Sequence, residues 1–268
     1  MATLSSLKNN RLFIIMMGKP LSGKSVLASQ FPSPWFIDLD FQLGSINAAK
    51  NKMNLDFDFD VTQLNEEETT DEDFVKLCGK ATAKQSAWRK TKKLSEVLSR
   101  KMPQDSTLIL DGLSRSGESL HAHLKKITGH TPLQIQDWGT FLDEMTALCD
   151  IFTSPNAKPN VILIAHEAII QNKVTGAIEK TLYVAGKSAY RLPSLCNEFW
   201  YLTQTARKIG GVNKSVRTLQ THGDRMLTAG SRSWMEDVEN PTYEKIKPFL
   251  ENTVGRKLPP PTWTPEEE

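Results

Sequence analysis

Four short apolar runs punctuate the chain, and each ends on a residue that can carry charge or a hydrogen bond. They are Leu12–Met17 before Gly18, Trp35–Leu39 with Asp38 and Asp40 at its end, Thr107–Leu110 before Asp111, and Val161–Ala165 before His166 and Glu167. Runs without polar alternation are buried on both faces, which predicts strands of a parallel sheet covered by helices. In such sheets ligands bind beyond the carboxyl ends of the strands, where these polar residues fall. Between Asn54 and Gln63 the pattern switches to alternation, Leu55, Phe57, Phe59 and Val61 against Asp56, Asp58 and Asp60. That period of two predicts an edge strand with one wet face.

Helical signals fill the gaps. The helix from Lys24 is expected to stop near Phe31-Pro32-Ser33-Pro34, where the prolines end it. Residues 65–101 read as a charged helical insertion, acidic first and basic afterwards, with Trp88 among the cations as a possible nucleic-acid contact. Residues 112–136 read as a long polar connection, followed by a helix to about Phe152 capped by Asp137, with Phe141, Met145, Leu148 and Cys149 on one side. Ala168 to Gly186 reads as a loop or hairpin. Residues 198–202, 215–221 and 224–228 read as antiparallel strands with Gly210-Gly211 as a turn. The tail Leu258–Glu268, rich in proline and acids, is expected to be disordered.

The string Gly18-Lys19-Pro20-Leu21-Ser22-Gly23-Lys24-Ser25, leading into Val26, changes the picture from architecture to chemistry. With a strand before it and a helix after it, G-x-x-x-x-G-K-S is a phosphate-binding loop. Its glycines let backbone N–H groups cradle phosphate, Lys24 on an exposed loop reaches the β- and γ-phosphates, and Ser25 offers its hydroxyl to Mg²⁺. The ligand expected is therefore ATP with Mg²⁺, and Asp111 is the expected carboxylate of the metal shell. His166, at another strand end, is a candidate sensor of the γ-phosphate. His121, His123 and His130 lack the Cys or acidic companions of a metal site and are expected on a helix surface.

Composition narrows the class without adding chemistry. At 39% hydrophobic and 24% charged the chain is an ordinary globular one, and no apolar run reaches bilayer length. The N-terminus lacks the apolar stretch of a signal peptide, so the expected location is the cytoplasm, with no membrane partner. Cys78, Cys149 and Cys196 form no paired motif and are expected as reduced thiols. A net charge of +2 means that any nucleic-acid surface is local.

The order of these elements, together with Trp35-Phe36-Ile37-Asp38, Gln136-Asp137-Trp138-Gly139-Thr140, Ile164-Ala165-His166-Glu167 and Gly186-Lys187 near Leu192-Pro193, resembles the small phage-encoded RecA-like NTPases. That group includes single-strand annealing proteins of phage recombination. The resemblance implies an α/β fold: a RecA-like P-loop core with a mainly parallel sheet flanked by helices and late antiparallel β-hairpins. It implies an ATPase domain over residues 1–235 and a C-terminal extension over 236–268. It further implies that Asp40 orients the attacking water, that His166 couples the γ-phosphate to DNA, and that 112–136 and 168–186 are DNA-facing loops. Arg115, Lys125, Lys126, Lys173 and Lys180 are then the DNA cations. Arg232, in Gly230-Ser231-Arg232, matches an arginine that enters a neighbour's active site. The implied partners are single-stranded DNA, further copies of the chain in a ring or filament, and a single-strand DNA-binding protein in a bacterial host cell. Annealing, strand exchange and helicase loading or packaging remain open, as does a P-loop phosphotransferase that modifies a nucleoside or small metabolite.

Overall fold

The computed structural model describes residues 11–66, 72–79, 85–171 and 176–265. The four apolar runs form β1 (Phe13–Gly18), β2 (Pro34–Asp38), β4 (Thr107–Asp111) and β5 (Asn160–Gln171), joined by the edge strand β3 (Asp60–Gln63) and by β7 (Glu198–Ile209). In the sheet they lie in the order β7-β1-β5-β4-β2-β3, all parallel. Thus one strand, β5, separates the strand before the phosphate loop from the strand that ends in Asp111. The sheet is completed by β8 (Val212–Gln220), antiparallel to β7 across the Gly210-Gly211 turn, and by the short β9 (Gly230–Ser231) and β10 (Val238–Glu239). β6 (Ile178–Leu182) pairs antiparallel with the far end of β5.

Alternation along each buried strand sorts its side chains into two cores. Phe13, Ile15 and Met17 of β1 join Leu108, Leu110, Val161 and Leu163 under α4 (Ala87–Lys101), α5 (Leu113–Thr128) and α6 (Ile135–Thr153). Ile14 and Met16 join Ile109, Ile162, Trp200 and Leu202 on the other face, covered by α1 (Lys24–Ala28), α2 (Gly44–Lys52) and α8 (Tyr243–Val254). The remaining helices are α3 (Glu72–Cys78) and α7 (Ser188–Arg191). Complete burial of each aliphatic side chain in this sheet contributes about 1.5–3 kcal/mol, which fixes the strand register that aligns the polar ends.

Several expectations give way to tertiary context. Only Asp60–Gln63 of the alternating segment is a strand, because Phe57 and Phe59 turn inward, Phe59 lying 5.0 Å from Phe36. The stretch after Asp111 is no polar connection: α5 occupies 16 of its residues, with Arg115, Glu118 and Lys126 facing outward and Ser114, Ser116 and Ser119 buried beside Leu113, Leu120 and Leu124. Asp137 is the third residue of α6 rather than its cap; its carboxylate accepts the Gln134 N–H in a capping box. Residues 224–228 make a single bridge, Leu227 to Lys180, rather than a strand. Trp88 is buried and donates from Nε1 to Glu144 Oε2 at 3.2 Å, so it is core and not a nucleic-acid contact.

The tail is also folded, as far as it is described. Trp263 is 6% exposed, stacks on Phe57 with centroids 5.1 Å apart, and donates to Ser29 Oγ at 3.1 Å. Thr262 bonds the Gln30 and Phe31 carbonyls, and Tyr243 Oη donates to the Pro259 carbonyl. Prolines predict a segment that cannot form helix or ladder; they do not predict that it lacks a groove to lie in. Glu266 to Glu268 fall outside the described residues.

Candidate active site at the phosphate loop

Parallel register places Gly18 beside His166, and Asp111 beside both Asp38 and Ile164, so the polar strand ends converge on the loop between β1 and α1. Gly18 is required there by close approach: a Cβ would lie 2.2 Å from the Leu202 carbonyl oxygen of β7. Gly23 is required by conformation, with φ +99° before α1. Lys19, Pro20 and Leu21 form the exposed rim, while Ser22 is buried and Val26 begins to pack on the second core. The helix that follows has only five residues, so the dipole it presents to the loop is small.

Lys24 is not on an exposed loop as expected. It is 6% exposed, and its ammonium donates to the Gly18 carbonyl at 3.0 Å and the Lys19 carbonyl at 2.7 Å. Burial lowers it to about 8, against the pull of Asp111, Asp40 and Glu167, which favour the charged form. Ser25 Oγ donates to Asp111 Oδ2 at 2.6 Å. Burial raises Asp111 to about 6, with Asp38 and Asp40 adding to the rise and Ser25 and Lys24 opposing it. These two hard oxygens, side by side below the loop, suit Mg²⁺.

Asp38 and Asp40 have separate tasks. Asp38 is fully buried and accepts the Asp40 and Phe41 N–H groups and the Gln63 side-chain amide, so it shapes the turn and does not face the loop. Its carboxyl is raised by that burial, in spite of these hydrogen bonds. Asp40 is thereby presented toward the site, with Oδ2 3.6 Å from His166 Nε2. His166 is fixed at its backbone by the Ser114 hydroxyl. Glu167 and Tyr201, neither assigned a role from sequence, flank the loop from β5 and β7; burial and the hydrogen-bonded Glu167 push the Tyr201 hydroxyl well up.

Ser22 Oγ, His166 Nδ1 and Glu167 Oε2 are buried without a protein hydrogen-bond partner. The Ser95, Thr107, Ser188 and Thr253 hydroxyls are unsatisfied elsewhere, but three such atoms gathered beside one loop leave hydrogen-bonding capacity there for a ligand or water. Beside Asp40 and His166 opens a cleft of about 680 Å³, lined also by Phe41, Ser114, Arg115 and Tyr183.

The expected DNA cations are only partly brought together. Arg115 reaches this cleft but is ion-paired with Glu118 at 3.0 Å. Lys125 and Lys126 lie in the last turn of α5, about 15 Å further along its axis. Lys180 lies with its ammonium over the Tyr201 ring, 5.4 Å from the centroid. Lys173 falls outside the described residues. Arg232 follows β9, which pairs with Glu198 and Phe199, opposite Ile14 and Ile15 of β1. Its guanidinium donates to the Ser194 carbonyl at 3.3 Å, roughly 10 Å of strand below the phosphate loop of its own chain. His121 stacks on Trp138, His123 meets Ser86 and His130 meets Asp137; among the described residues no group of three metal-ligating side chains occurs.

A signal for Asp38 and Gln63 was available in their places at neighbouring strand ends. For Arg217 of β8, whose side chain lies against Gly23, the sequence carries no signal beyond charge. A family model described as an AAA domain matches residues 10–233. A comparison with curated proteins found no match. No described helix is long and apolar enough to cross a membrane.

Proposed function

From the chain's membership of the AAA domain family, whose P-loop domains bind nucleotide, we propose that this protein is an ATPase that binds single-stranded DNA and promotes annealing or strand pairing in recombination. The observation that carries the nucleotide part is the Ser25–Asp111 pair set among three unsatisfied buried polar atoms. A Mg²⁺ ion there would supply positive charge to offset the charge that develops on the phosphoryl oxygens. Ser25 and Asp111 would hold it. Lys24, already poised by two loop carbonyls, exchanges these for phosphate oxygens as the ligand enters. Asp40 holds the attacking water, and His166, 3.6 Å away, orients the Asp40 carboxylate.

The DNA part is supported by the adjoining cleft, where exposed Phe41 and Tyr183 offer faces for bases and Arg115 would offer charge on exchanging Glu118 for a phosphate. The β5–β6 hairpin lies next to it, and Lys180 on that hairpin lies over Tyr201, which bonds Glu167. A strand of DNA on the hairpin would therefore bear on residues one step from the phosphate loop. A second reading, phosphoryl transfer to a small acceptor, draws on the same cleft. Phosphate release measured with and without a single-stranded oligonucleotide, beside anisotropy of a labelled oligonucleotide, separates them. Stimulated release and saturable binding are expected. Neither binding nor stimulation, with phosphate appearing on an added nucleoside, supports the phosphotransferase.

A further inference from the structure

The phosphate loop has a second flank that the ATPase scheme does not use. Arg217 pairs with Gln204, three residues beyond Tyr201, and Tyr201 pairs with Met17 of β1. This lifts Arg217 about 10 Å past Met17, beyond the end of β1 and level with the loop. Its backbone is pinned there, the N–H donating to Asn240 Oδ1 at 3.1 Å and the carbonyl accepting the Asn240 N–H at 2.7 Å. A Cβ on Gly23 would lie 2.9, 3.1 and 3.4 Å from Nε, Cδ and Cζ of Arg217, so the guanidinium rests on the loop residue before Lys24.

Among the described residues this guanidinium has no anionic or carbonyl partner: residues 199–223 contain no Asp or Glu, and Glu239 of the neighbouring β10 is ion-paired with Arg207. An arginine stem gives up substantial rotamer freedom when it is held against backbone, and an unpaired charge returns nothing for that loss. The side matters as well. Asp38, Asp40, Asp111 and His166 come from β2, β4 and β5, whereas Arg217 comes from β8, across β7 and β1 from them. The metal-bound, transferable end of a nucleotide must face the acids. Its remaining part then extends toward β7 and β8.

We propose that Arg217 is a nucleotide-binding residue supplied within the same chain, which grips the retained part of the nucleotide at its α- and β-phosphates and not the γ-phosphate. The inference rests on the phosphate loop binding nucleotide. A planar fork beside the loop amides can hold two phosphate oxygens in a fixed bidentate geometry, which the ammonium of lysine does not impose.

The test is titration of fluorescent ADP and a fluorescent non-hydrolysable ATP analogue into the wild type, Arg217→Ala, Arg217→Lys and, as control, Lys24→Ala. Thermal melting without ligand is measured alongside. Arg217→Ala should weaken both nucleotides about 10-fold and by the same factor, with unchanged melting. Arg217→Lys should fall between. Equal affinity in wild type and Arg217→Ala overturns the proposal, and so does a loss confined to the ATP analogue, which would put the guanidinium on the γ-phosphate. Should Arg217→Ala fail to fold, Arg217→Lys and Arg217→Gln, which keep most of the stem, decide in the same way. If the wild type binds neither nucleotide and matches Lys24→Ala, the phosphate-loop reading itself fails, a result distinct from a wild type that binds well beside an unaffected Arg217→Ala.

Discussion

The two flanks of the phosphate loop are built differently. On the β5–β4–β2 side, carboxylates lie buried at the ends of parallel strands, and nearly every one is already engaged: Asp111 by Ser25, Asp38 by Gln63 and two amides, Asp40 near His166. On the β7–β8 side the chain runs on as an exposed antiparallel ribbon whose residues 201–220 carry Arg207, Lys208, Lys214 and Arg217 and no acid, with Arg207 ion-paired to Glu239 of the adjoining β10. On the acidic flank Asp38 and Asp111 are buried and held by hydrogen bonds, while Asp40 and His166 face the cleft, an arrangement that fixes donor positions for metal and water. The basic flank is open to solvent, where charges attract phosphate without the cost of burial. The loop between them touches both, through Lys24 on one side and Gly23 on the other.

Lys24→Ala should give the largest loss, since Lys24 serves the loop whichever flank matters more. Turnover should drop by about 10²–10³-fold or below detection, measured by phosphate release, while circular dichroism remains native. Normal turnover would dissolve the comparison by removing the loop from the chemistry.

Arg232→Ala tests whether the two flanks suffice. Arg232 lies at the other edge of the sheet from its own loop, so a contribution to hydrolysis must come across an interface between copies. An arginine supplied in trans is worth roughly 10³-fold in rate. Mixing Arg232→Ala with Lys24→Ala should then restore part of the activity, and hydrolysis by the wild type should rise faster than linearly with concentration. A mixture as inactive as its components leaves Arg232 as a surface residue bonded to Ser194.

Asp111→Asn sharpens the acidic flank. Magnesium-dependent hydrolysis should fall about 10²-fold with nucleotide affinity in EDTA little changed. The same variant should be more stable without ligand, for a reason of sign. Burial raises Asp111 to about 6, above its unfolded value, so the stability it contributes is present at acid pH and is lost as pH rises through about 6. Asparagine carries no such penalty. Melting in EDTA should match wild type near pH 4 and exceed it by a few degrees, ~5 °C, at pH 7.5. A variant less stable at pH 7.5 would mean that the Ser25 bond outweighs desolvation.

Trp263→Ala leaves both flanks alone and removes the stack on Phe57 and the bond to Ser29. Loss of about 3 kcal/mol is expected by denaturant unfolding, with nucleotide affinity changed little. An unaltered midpoint would show that the tail is not held in solution. The smallest effect expected is on DNA: Lys173→Ala with Lys180→Ala should flatten the salt dependence of oligonucleotide binding by up to about two phosphate contacts. A slope unchanged there would favour the β7–β8 ribbon as the DNA surface and so tie both ligands to the basic flank.

Most of the acidic flank was legible in advance, because it is written in local strings. A buried strand followed by Gly18–Ser25, or carrying Asp111 or His166 beyond its apolar run, states its own place in the interior of a parallel sheet. The division between Asp38 and Asp40 was not legible: it depends on Gln63 arriving from the neighbouring strand. Nor was the burial of Trp88, since a tryptophan among lysines reads the same whether the helix face meets water or Glu144.

What the sequence determined by itself is therefore the phosphate loop, the parallel strands and the acids at their ends, all set by spacing within short segments and by the hydrophobic burial that fixes register. The tertiary structure decided the rest. It folded Pro259–Trp263 into the groove beyond α1, turned the expected loop after Asp111 into α5, carried Arg232 to the far edge, and laid Arg217 on Gly23. Each of these outcomes depends on which surfaces meet across more than a hundred residues or on which face of an element is covered. A charge or a proline in one dimension has no means of stating either.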